Sequence, residues 1–395
     1  MKVLMVTPGR LPVPAVKGGA VESLIEMLID YNEEHVHWDM HVLSLYDREA
    51  LHKSKEYQYN TFKFLNMGSF FSFLMSHHFL PYRWLDYIFS RKAVKLLKRK
   101  KESYDCIVIQ NETVNGSVFM KAFSNKCIFH AHNDIVVSVN AKETEFLKSC
   151  EKVISISDYL THKIHKDYAL DNLTTVYNGI DTGLFDPEKY KKERGSLRQQ
   201  YGIKEDDVVV VFSGRMVQEK GVKELLQAFL LLPKELSVKV LIIGSSFFGA
   251  DKENPYMSQL KSLCKNRTSD IIFSGYVKYQ DMPKYYAMAD IGCVPSIWDE
   301  PFGLTVVEQM AMELPMITTD AGAIPEIVAA DCGYVLRRDR KLCENIASSI
   351  VQLYEDENLR RQMGKKGRGI VCSRFDKNKF CKSWFQTVVS MKDIC

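Results

Sequence analysis

The stretch VVVVFSGRMVQEKG, residues 208–221, decides the fold. Val208–Phe212 is a continuous apolar run, mostly β-branched, of the length and composition of a strand buried on both faces. Ser213 and Gly214 then break the run, Arg215 to Lys220 cross a polar turn, and Gly221 precedes the helical pattern Val222–Leu232. A buried strand feeding a helix through a short loop belongs to a parallel sheet covered by helices.

The same alternation extends in both directions. Toward the N-terminus, strands are expected at Lys2–Thr7, Met40–Leu45, Cys106–Gln110, Cys127–Ala131, Lys152–Ile156 and Thr174–Tyr177. Toward the C-terminus they are expected at Val238–Ile243, Ile271–Ser274, Ile291–Pro295 and Met316–Thr319. Helical patterns lie between them, at Gly19–Tyr31, Lys92–Glu102, Asp158–Asp167, Val222–Leu232, Met282–Ala289, Gly303–Glu313 and Leu342–Glu357. Two such series in 395 residues fit two α/β domains at about 150 residues per domain. The boundary falls near Asn178–Tyr190, where Asn-Gly and Asp-Pro are turn signals and Glu188–Arg194 reads as a solvated stretch. Phe375–Val389 is a further, aromatic-rich helix.

Composition narrows the class. The chain is 46% apolar and 26% charged, which excludes a disordered protein. A net charge of +4 is too small for wholesale nucleic-acid binding, so no nucleic-acid partner is expected. The opening Val3-Leu4-Met5-Val6 run is stopped by Pro8, Gly9 and Arg10 and reads as a strand rather than a signal segment. The ten cysteines are nowhere closer than nine residues, so no C-x-x-C pair exists. Reduced, core-filling thiols in a cytoplasmic protein are expected.

In open α/β sheets, ligands bind beyond the carboxyl ends of the strands. Two segments there carry chemistry. Glu300 and Glu308 are eight residues apart, with Phe302-Gly303 between them and a helix expected from Leu304. The free N–H groups of that helix start suit an anion. Taken singly, Glu300 also fits a helix-dipole partner and Glu308 an exposed helix residue. Arg215 and Lys220 are five apart across a turn, able to converge on one anion; taken alone, such a pair also fits a solvated surface.

Together these segments resemble the family 4 (group 1) retaining glycosyltransferases with the GT-B fold, of the type used in bacterial polysaccharide synthesis. Six segments carry the likeness: Lys17-Gly18-Gly19-Ala20, His130-Ala131-His132-Asn133, Tyr177-Asn178-Gly179-Ile180-Asp181, Gly214-Arg215 with Lys220-Gly221, Glu300-Pro301-Phe302-Gly303 with Glu308, and Ala321-Gly322-Ala323-Ile324-Pro325-Glu326. The resemblance implies two doubly wound, Rossmann-like lobes facing across a cleft. An acceptor-side lobe spans 1–181 and takes back the C-terminal helix 375–395, while a nucleotide-sugar lobe spans 182–374.

The resemblance also implies roles. Arg215 and Lys220 clamp the leaving diphosphate, each charge pair at about 4 Å contributing roughly 4 kcal/mol at an effective dielectric near 20 before desolvation. The N–H groups of Leu304 and Thr305 add donors, and Gly18 and Gly19 let backbone approach the same diphosphate. Glu308 takes the ribose hydroxyls. Glu300, with backbone at Phe302 and Gly303, faces the sugar. Gly275, Tyr276 and Val277 cradle the base. His132 stands by the reacting face of the sugar; His130 is its rival, one strand step away and expected to point oppositely. The implied mechanism is front-face substitution with retention, in which the leaving phosphate oxygen helps deprotonate the acceptor. No Asp-x-Asp is present, so no metal and no cofactor is expected, the nucleotide sugar (UDP-linked) being a substrate.

The acceptor side shows eight aromatics between residues 70 and 89 (Phe70, Phe71, Phe73, Phe79, Tyr82, Trp84, Tyr87, Phe89), then seven Lys/Arg and no acid across 91–101. The segment 70–101 reads either as packing plus a solvated helix face or as a peripheral contact with the inner membrane leaflet, suited to a saccharide or lipid-linked acceptor. Rival readings are another GT-B enzyme (an inverting transferase or an epimerase) and a non-catalytic nucleotide-sugar-binding subunit.

Overall fold

The structure is a computed structural model, and it describes residues 1–68, 81–123, 126–133, 141–245 and 255–389. The chain divides into two compact units, Met1–Tyr177 joined by the chain from Phe380, and Asn178–Lys379.

The first unit is built on a seven-stranded sheet. Its strands are β1 (Lys2–Val6), β2 (Asp39–Leu45), β3 (Asn60–Leu65), β4 (Cys106–Gln110), β5 (Lys126–Ala131), β6 (Lys152–Ser155) and β7 (Leu173–Thr175). They lie in the order β3-β2-β1-β4-β5-β6-β7, every neighbouring pair parallel. The second unit has six parallel strands: β8 (Val208–Ser213), β9 (Val238–Ile243), β10 (Ile271–Gly275), β11 (Ile291–Val294), β12 (Met316–Thr319) and β13 (Gly333–Leu336). Their order is β10-β9-β8-β11-β12-β13. Strand order reverses between β1 and β4 in one sheet and between β8 and β11 in the other. These are the two topological switch points, where an α/β sheet opens a crevice at its carboxyl edge.

All six residues of β8 are buried. Val222, Leu225, Leu226 and Phe229 of the helix Val222–Leu230 cover them, spaced to fall on one helix face. Each such side chain contributes roughly 1.5–3 kcal/mol by leaving water. Seven of the nine described cysteines are buried, and all nine are free thiols, which fits a core-filling use. In the first unit the final helix, Lys377–Val389, buries Phe380, Trp384 and Phe385. Phe385 packs 4.6 Å from Trp38, and Trp384 Nε1 donates to His130 Nδ1 at 3.3 Å.

The elements depart from the sequence reading in several places. β3 (NTFKFL) interleaves polar residues that are satisfied only by distant partners: Asn60 Nδ2 donates to the Ile29 carbonyl, and Lys63 pairs with Glu102 at 2.7 Å. β13 is a short edge strand opened by Gly333, where an added Cβ would lie 2.4 Å from the Met316 carbonyl oxygen. Both escaped an apolar-run search. The stretch Glu188–Arg194 is largely exposed, as expected, but it is part of the helix Pro187–Gln200 rather than a linker, capped by Asp186, which accepts from the Glu188 N–H. That helix is held by ion pairs rather than by an apolar stripe, with Arg194 2.6 Å from Asp290. Helices Thr113–Ala122 and Glu357–Arg374 also form, and the helix expected at Lys92–Glu102 begins earlier, as Tyr82–Arg99.

Candidate functional site

The loops leaving β8 and β11 meet at the switch point of the second sheet. The strands are paired through Ile291–Val210 and Gly292–Val211, so the chain after Ser213 and the chain after Val294 start side by side. The Ile297 N–H donates to the Glu219 carbonyl at 3.0 Å and ties the loops together. Gly221 sits in left-handed backbone, φ 73°, and an added Cβ would lie 1.8 Å from the Pro295 carbonyl oxygen. Only glycine permits both the turn and this approach.

That approach brings Lys220 onto Glu300. The ammonium lies 2.6 Å from Oε1 and 2.9 Å from Oε2, and 5.7 Å from the centre of the Trp298 ring. Ser296 Oγ donates to Glu300 Oε1 at 2.6 Å. The backbone of the Ala321-Gly322-Ala323 turn closes on Glu300 from the other side, the Ala323 N–H donating to its carbonyl at 2.9 Å. Glu300 is thereby buried and fixed. Arg215, on the β8 loop, is exposed, and its side chain has no hydrogen bond or ion pair among the described residues. The two cations therefore differ: Lys220 already has a carboxylate partner, whereas the Arg215 fork is unclaimed.

Gly303, φ 114°, opens the helix Leu304–Ala311 without a capping side chain. The first-turn N–H groups of Leu304 and Thr305 are thus not claimed by a cap. Phe302 is buried with its ring 5.6 Å from that of Phe375, so only its backbone is offered to a ligand. Glu308 lies in the second turn and is buried, its Oε2 accepting from Tyr286 OH at 2.9 Å. Burial pushes its carboxyl up to about 7, and the Tyr286 hydrogen bond opposes that rise. Gly275 ends β10 in left-handed backbone, φ 72°, followed by exposed Tyr276 and half-buried Val277. These three lie two strands from β8, at the carboxyl edge of the same sheet.

The Glu308 shift has a stability consequence with a definite sign. The folded value of about 7 lies above the ordinary 4.5. Glu308 therefore contributes stability below about pH 4.5 that is lost as pH rises through 7. Glu308→Gln is expected to match the parent near pH 4.5 and to exceed it by about 3 kcal/mol at pH 8. Thermal melts of both proteins across that range check it; a variant no more stable than the parent at pH 8 contradicts it.

The remaining expected residues belong to the first unit. Gly18 and Gly19 both have positive φ, 73° and 103°, in the loop between β1 and the helix Ala20–His35. An added Cβ on Gly19 would fall 2.2 Å from Glu22 Oε2. His132 follows β5 and is buried; its Nε2 lies 2.8 Å from Gln110 Oε1, and its N–H donates to Asn111 Oδ1 at 3.1 Å. Burial drives its imidazole down to about 3, so it is neutral at any working pH. The expectation that His130 and His132 point oppositely is overturned. Two residues make one full pleat repeat, so i and i+2 share a side, and the rings lie 4.0 Å apart. His130 is sealed in the core under Trp384.

Sequence reasoning missed Ser296, Tyr286, Gln110 and Asn111. Tyr286 carries no motif, and Asn111 shows only the weak signal of an asparagine just past a strand, here in left-handed backbone at φ 63°. It also missed Arg10, Asp86 and Glu112 at the β1/β4 switch point, where Arg10 lies 2.9 Å from Glu112 and 3.4 Å from Asp86. Among the described residues no cluster of three or more His, Cys, Asp or Glu side chains has metal-holding geometry.

Residues 193–369 match the family model described as Glycosyl transferases group 1, and residues 58–184 match Glycosyltransferase Family 4. Spore coat protein SA of Bacillus subtilis (strain 168) is 26% identical over 389 residues, covering 95% of this chain and 96% of that protein. The capsular polysaccharide biosynthesis glycosyltransferase CapM of Staphylococcus aureus is 31% identical over 228 residues, 56% of this chain and 57% of that protein. The crystal structure of Anabaena Alr3699/HepE in complex with UDP-glucose aligns over 99% of this chain and 100% of its own, with a TM-score of 0.76 at 20% identity, a likeness of fold.

Proposed function

Because this chain belongs to the family 4, group 1 glycosyltransferases and has the GT-B fold, we propose that it transfers a sugar from a UDP-linked donor, with retention, to a saccharide or lipid-linked acceptor during assembly of a bacterial surface polysaccharide. The observation that carries this reading is the Lys220–Glu300 contact beside the unclaimed Arg215 at the β8/β11 switch point. The likeness to CapM supports the polysaccharide setting, and the UDP-glucose complex supports the uridine donor.

In this reading the leaving diphosphate lies against Arg215, Lys220 and the start of the helix Leu304–Ala311. Negative charge grows on that diphosphate as the sugar departs, and fixed donors that need no reorientation lower the barrier. An ammonium has three protons. Two are directed at the Glu300 oxygens, and the third remains for a phosphate oxygen. Glu300, held by Lys220 and Ser296, presents its remaining acceptor capacity to sugar hydroxyls. Glu308 takes the ribose hydroxyls, and Gly275, Tyr276 and Val277 flank the base. The Gly18 N–H is spent on the Ala15 carbonyl at 2.9 Å, so Gly19 offers the backbone N–H, and neither glycine puts a Cβ in the way. His132, neutral, is a hydrogen-bond partner for a sugar hydroxyl and not a proton donor of the imidazolium kind. With the donor oxygen of the departing phosphate deprotonating the acceptor, substitution occurs on the face the phosphate leaves.

Two cations in place of a metal ion lead to a first test. UDP-sugars are offered one at a time, and hydrolysis or transfer is followed by mass spectrometry, with the anomeric linkage read by NMR. One donor is expected to turn over at an undiminished rate in excess EDTA, giving product of retained configuration. Loss of activity restored only by Mg²⁺ or Mn²⁺, or an inverted linkage, contradicts the mechanism.

The acceptor side supports contact with a membrane surface. The helix Tyr82–Arg99 buries Leu85, Phe89, Ala93 and Leu97 and exposes Trp84 and Tyr87 in line with Arg91, Lys95 and Lys98. Trp84 is 61% exposed, which packing within the unit does not explain. Phe70, Phe71, Phe73 and Phe79 lie outside the described residues. No described helix is long and apolar enough to cross a membrane. Aromatics followed by cations along one exposed face suit an anionic leaflet, at about 1 kcal/mol per basic residue. Replacing Lys95, Lys98, Arg99 and Lys100 with glutamine is expected to weaken binding to anionic liposomes by up to ~10³-fold while UDP affinity is unchanged. Unchanged liposome sedimentation removes the membrane contact.

A further inference from the structure

Glu308 is the end of a chain of four buried side chains. Gln309 Nε2 lies 3.1 Å from Ser213 Oγ, Ser213 Oγ lies 2.7 Å from Tyr286 OH, and Tyr286 OH lies 2.9 Å from Glu308 Oε2. The residues come from the end of β8, the helix Met282–Ala287 and the helix Leu304–Ala311. Gln309 and Tyr286 are wholly buried, and Ser213 nearly so.

With Glu308 ionised, proton counting fixes the direction of every bond. A carboxylate only accepts, so the single proton of Tyr286 goes to Glu308. The 2.7 Å contact between Ser213 and Tyr286 must then use the serine proton. Ser213 Oγ is left as an acceptor, and the amide N–H of Gln309 supplies it. The opposite orientation of that amide would draw the serine proton to itself and leave the Ser213–Tyr286 contact with none. The chain thus runs one way, Gln309 to Ser213 to Tyr286 to Glu308, each donor polarising the next.

We propose that Tyr286 is a positioning residue for nucleotide recognition: it engages Oε2 of Glu308 and so turns Oε1 into the acceptor presented to the ribose hydroxyls. This rests on the reading that Glu308 binds ribose. Oε1 has no hydrogen-bond partner among the described residues, while Glu308 keeps a 6% opening to solvent. The titratable groups that face Glu308 are the phenols Tyr286 and Tyr279, both pushed well above 10 by burial and by the carboxylate itself. Both stay neutral between pH 5 and 9, so Glu308 is the member of the group that ionises there. Its burial opposes ionisation and the Tyr286 hydroxyl favours it, so removing that hydroxyl raises the pH at which the ribose acceptor forms.

The test is calorimetric binding of UDP to the full chain from pH 5.5 to 9, for the parent, Tyr286→Phe, Ser213→Ala and Glu308→Gln. Phosphate ionisation of the nucleotide is common to all four, and Glu308→Gln supplies the baseline. Parent affinity is expected to rise through a midpoint near 7. Tyr286→Phe is expected to bind about 10-fold more weakly at pH 8, with its midpoint moved up by about one unit. Ser213→Ala, which keeps the phenol but removes the donor behind it, is expected to shift the same way by less. If Glu308→Gln binds as tightly as the parent, the ribose reading fails. If Glu308→Gln binds weakly but Tyr286→Phe keeps the parent's midpoint and affinity, the ribose reading survives and the positioning role is overturned. Should Tyr286→Phe not fold, an unmoved midpoint in Ser213→Ala overturns it equally.

Discussion

Arg215→Ala is expected to lower kcat roughly 10²–10³-fold while leaving the melting temperature within about 2 °C of the parent. Two observations make both halves follow. The side chain is exposed and unpaired among the described residues, so truncation leaves no buried group unsatisfied and removes little packing. It also stands where β8 ends, one residue beyond Gly214, on the loop that meets the β11 loop at the switch point. A cation there acts on charge that appears only as the diphosphate departs, which is a transition-state effect and falls on kcat more than on KM. Arg215→Lys keeps the charge but not the planar fork, and is expected to recover only part of the rate. Donor hydrolysis or transfer measured under saturating donor, beside a thermal melt, decides it. A rate within 5-fold of the parent would remove the diphosphate clamp from the mechanism.

Lys220→Met is expected to cost both activity and stability, and the stability loss identifies the reason. Glu300 is buried, and its donors among the described residues are Lys220 and Ser296. Removing the ammonium strands a desolvated carboxylate, a change of about 3 kcal/mol, or roughly 6–12 °C in the melting temperature of a unit of this size. Pairing it with Glu300→Gln takes away the stranded charge. The double variant is expected to recover most of the stability and none of the rate, which falls roughly 10²–10³-fold in both. Because Glu300 itself faces the sugar, Glu300→Gln alone supplies the baseline, and a double variant slower than it marks Lys220 as a catalytic cation rather than a merely structural one. If the double variant regains activity along with stability, Lys220 only props up Glu300 and the chemistry lies elsewhere.

The two variants differ because the two cations differ, and the sequence did not distinguish them. Arg215 and Lys220 stand five residues apart and read as an equivalent pair. The distinction arises from the contact of Gly221 with Pro295, which seats Lys220 against a residue eighty positions away. His132 shows the same limit. Its place after β5 was legible, yet its neutrality comes from burial and its orientation from Gln110, and neither has a local sign. The charged stretch after Asp186 looked like a linker because its helix is held by ion pairs to Asp290 and not by an apolar stripe. Periodicity reports only burial that follows the helix repeat, and is silent where distant charges do the holding.

The sequence by itself determined the alternating strands and helices, the two sheets, and the loops that carry the phosphate-binding and carboxylate residues, because apolar runs and glycine turns act over a few neighbouring positions. Only the tertiary structure decided which polar groups meet: Lys220 with Glu300, Tyr286 with Glu308, Gln110 with His132. Those pairings depend on strand order and on which loops a switch point brings together, and hydrogen bonds of about 3 Å between residues tens of positions apart leave no periodic trace in the chain.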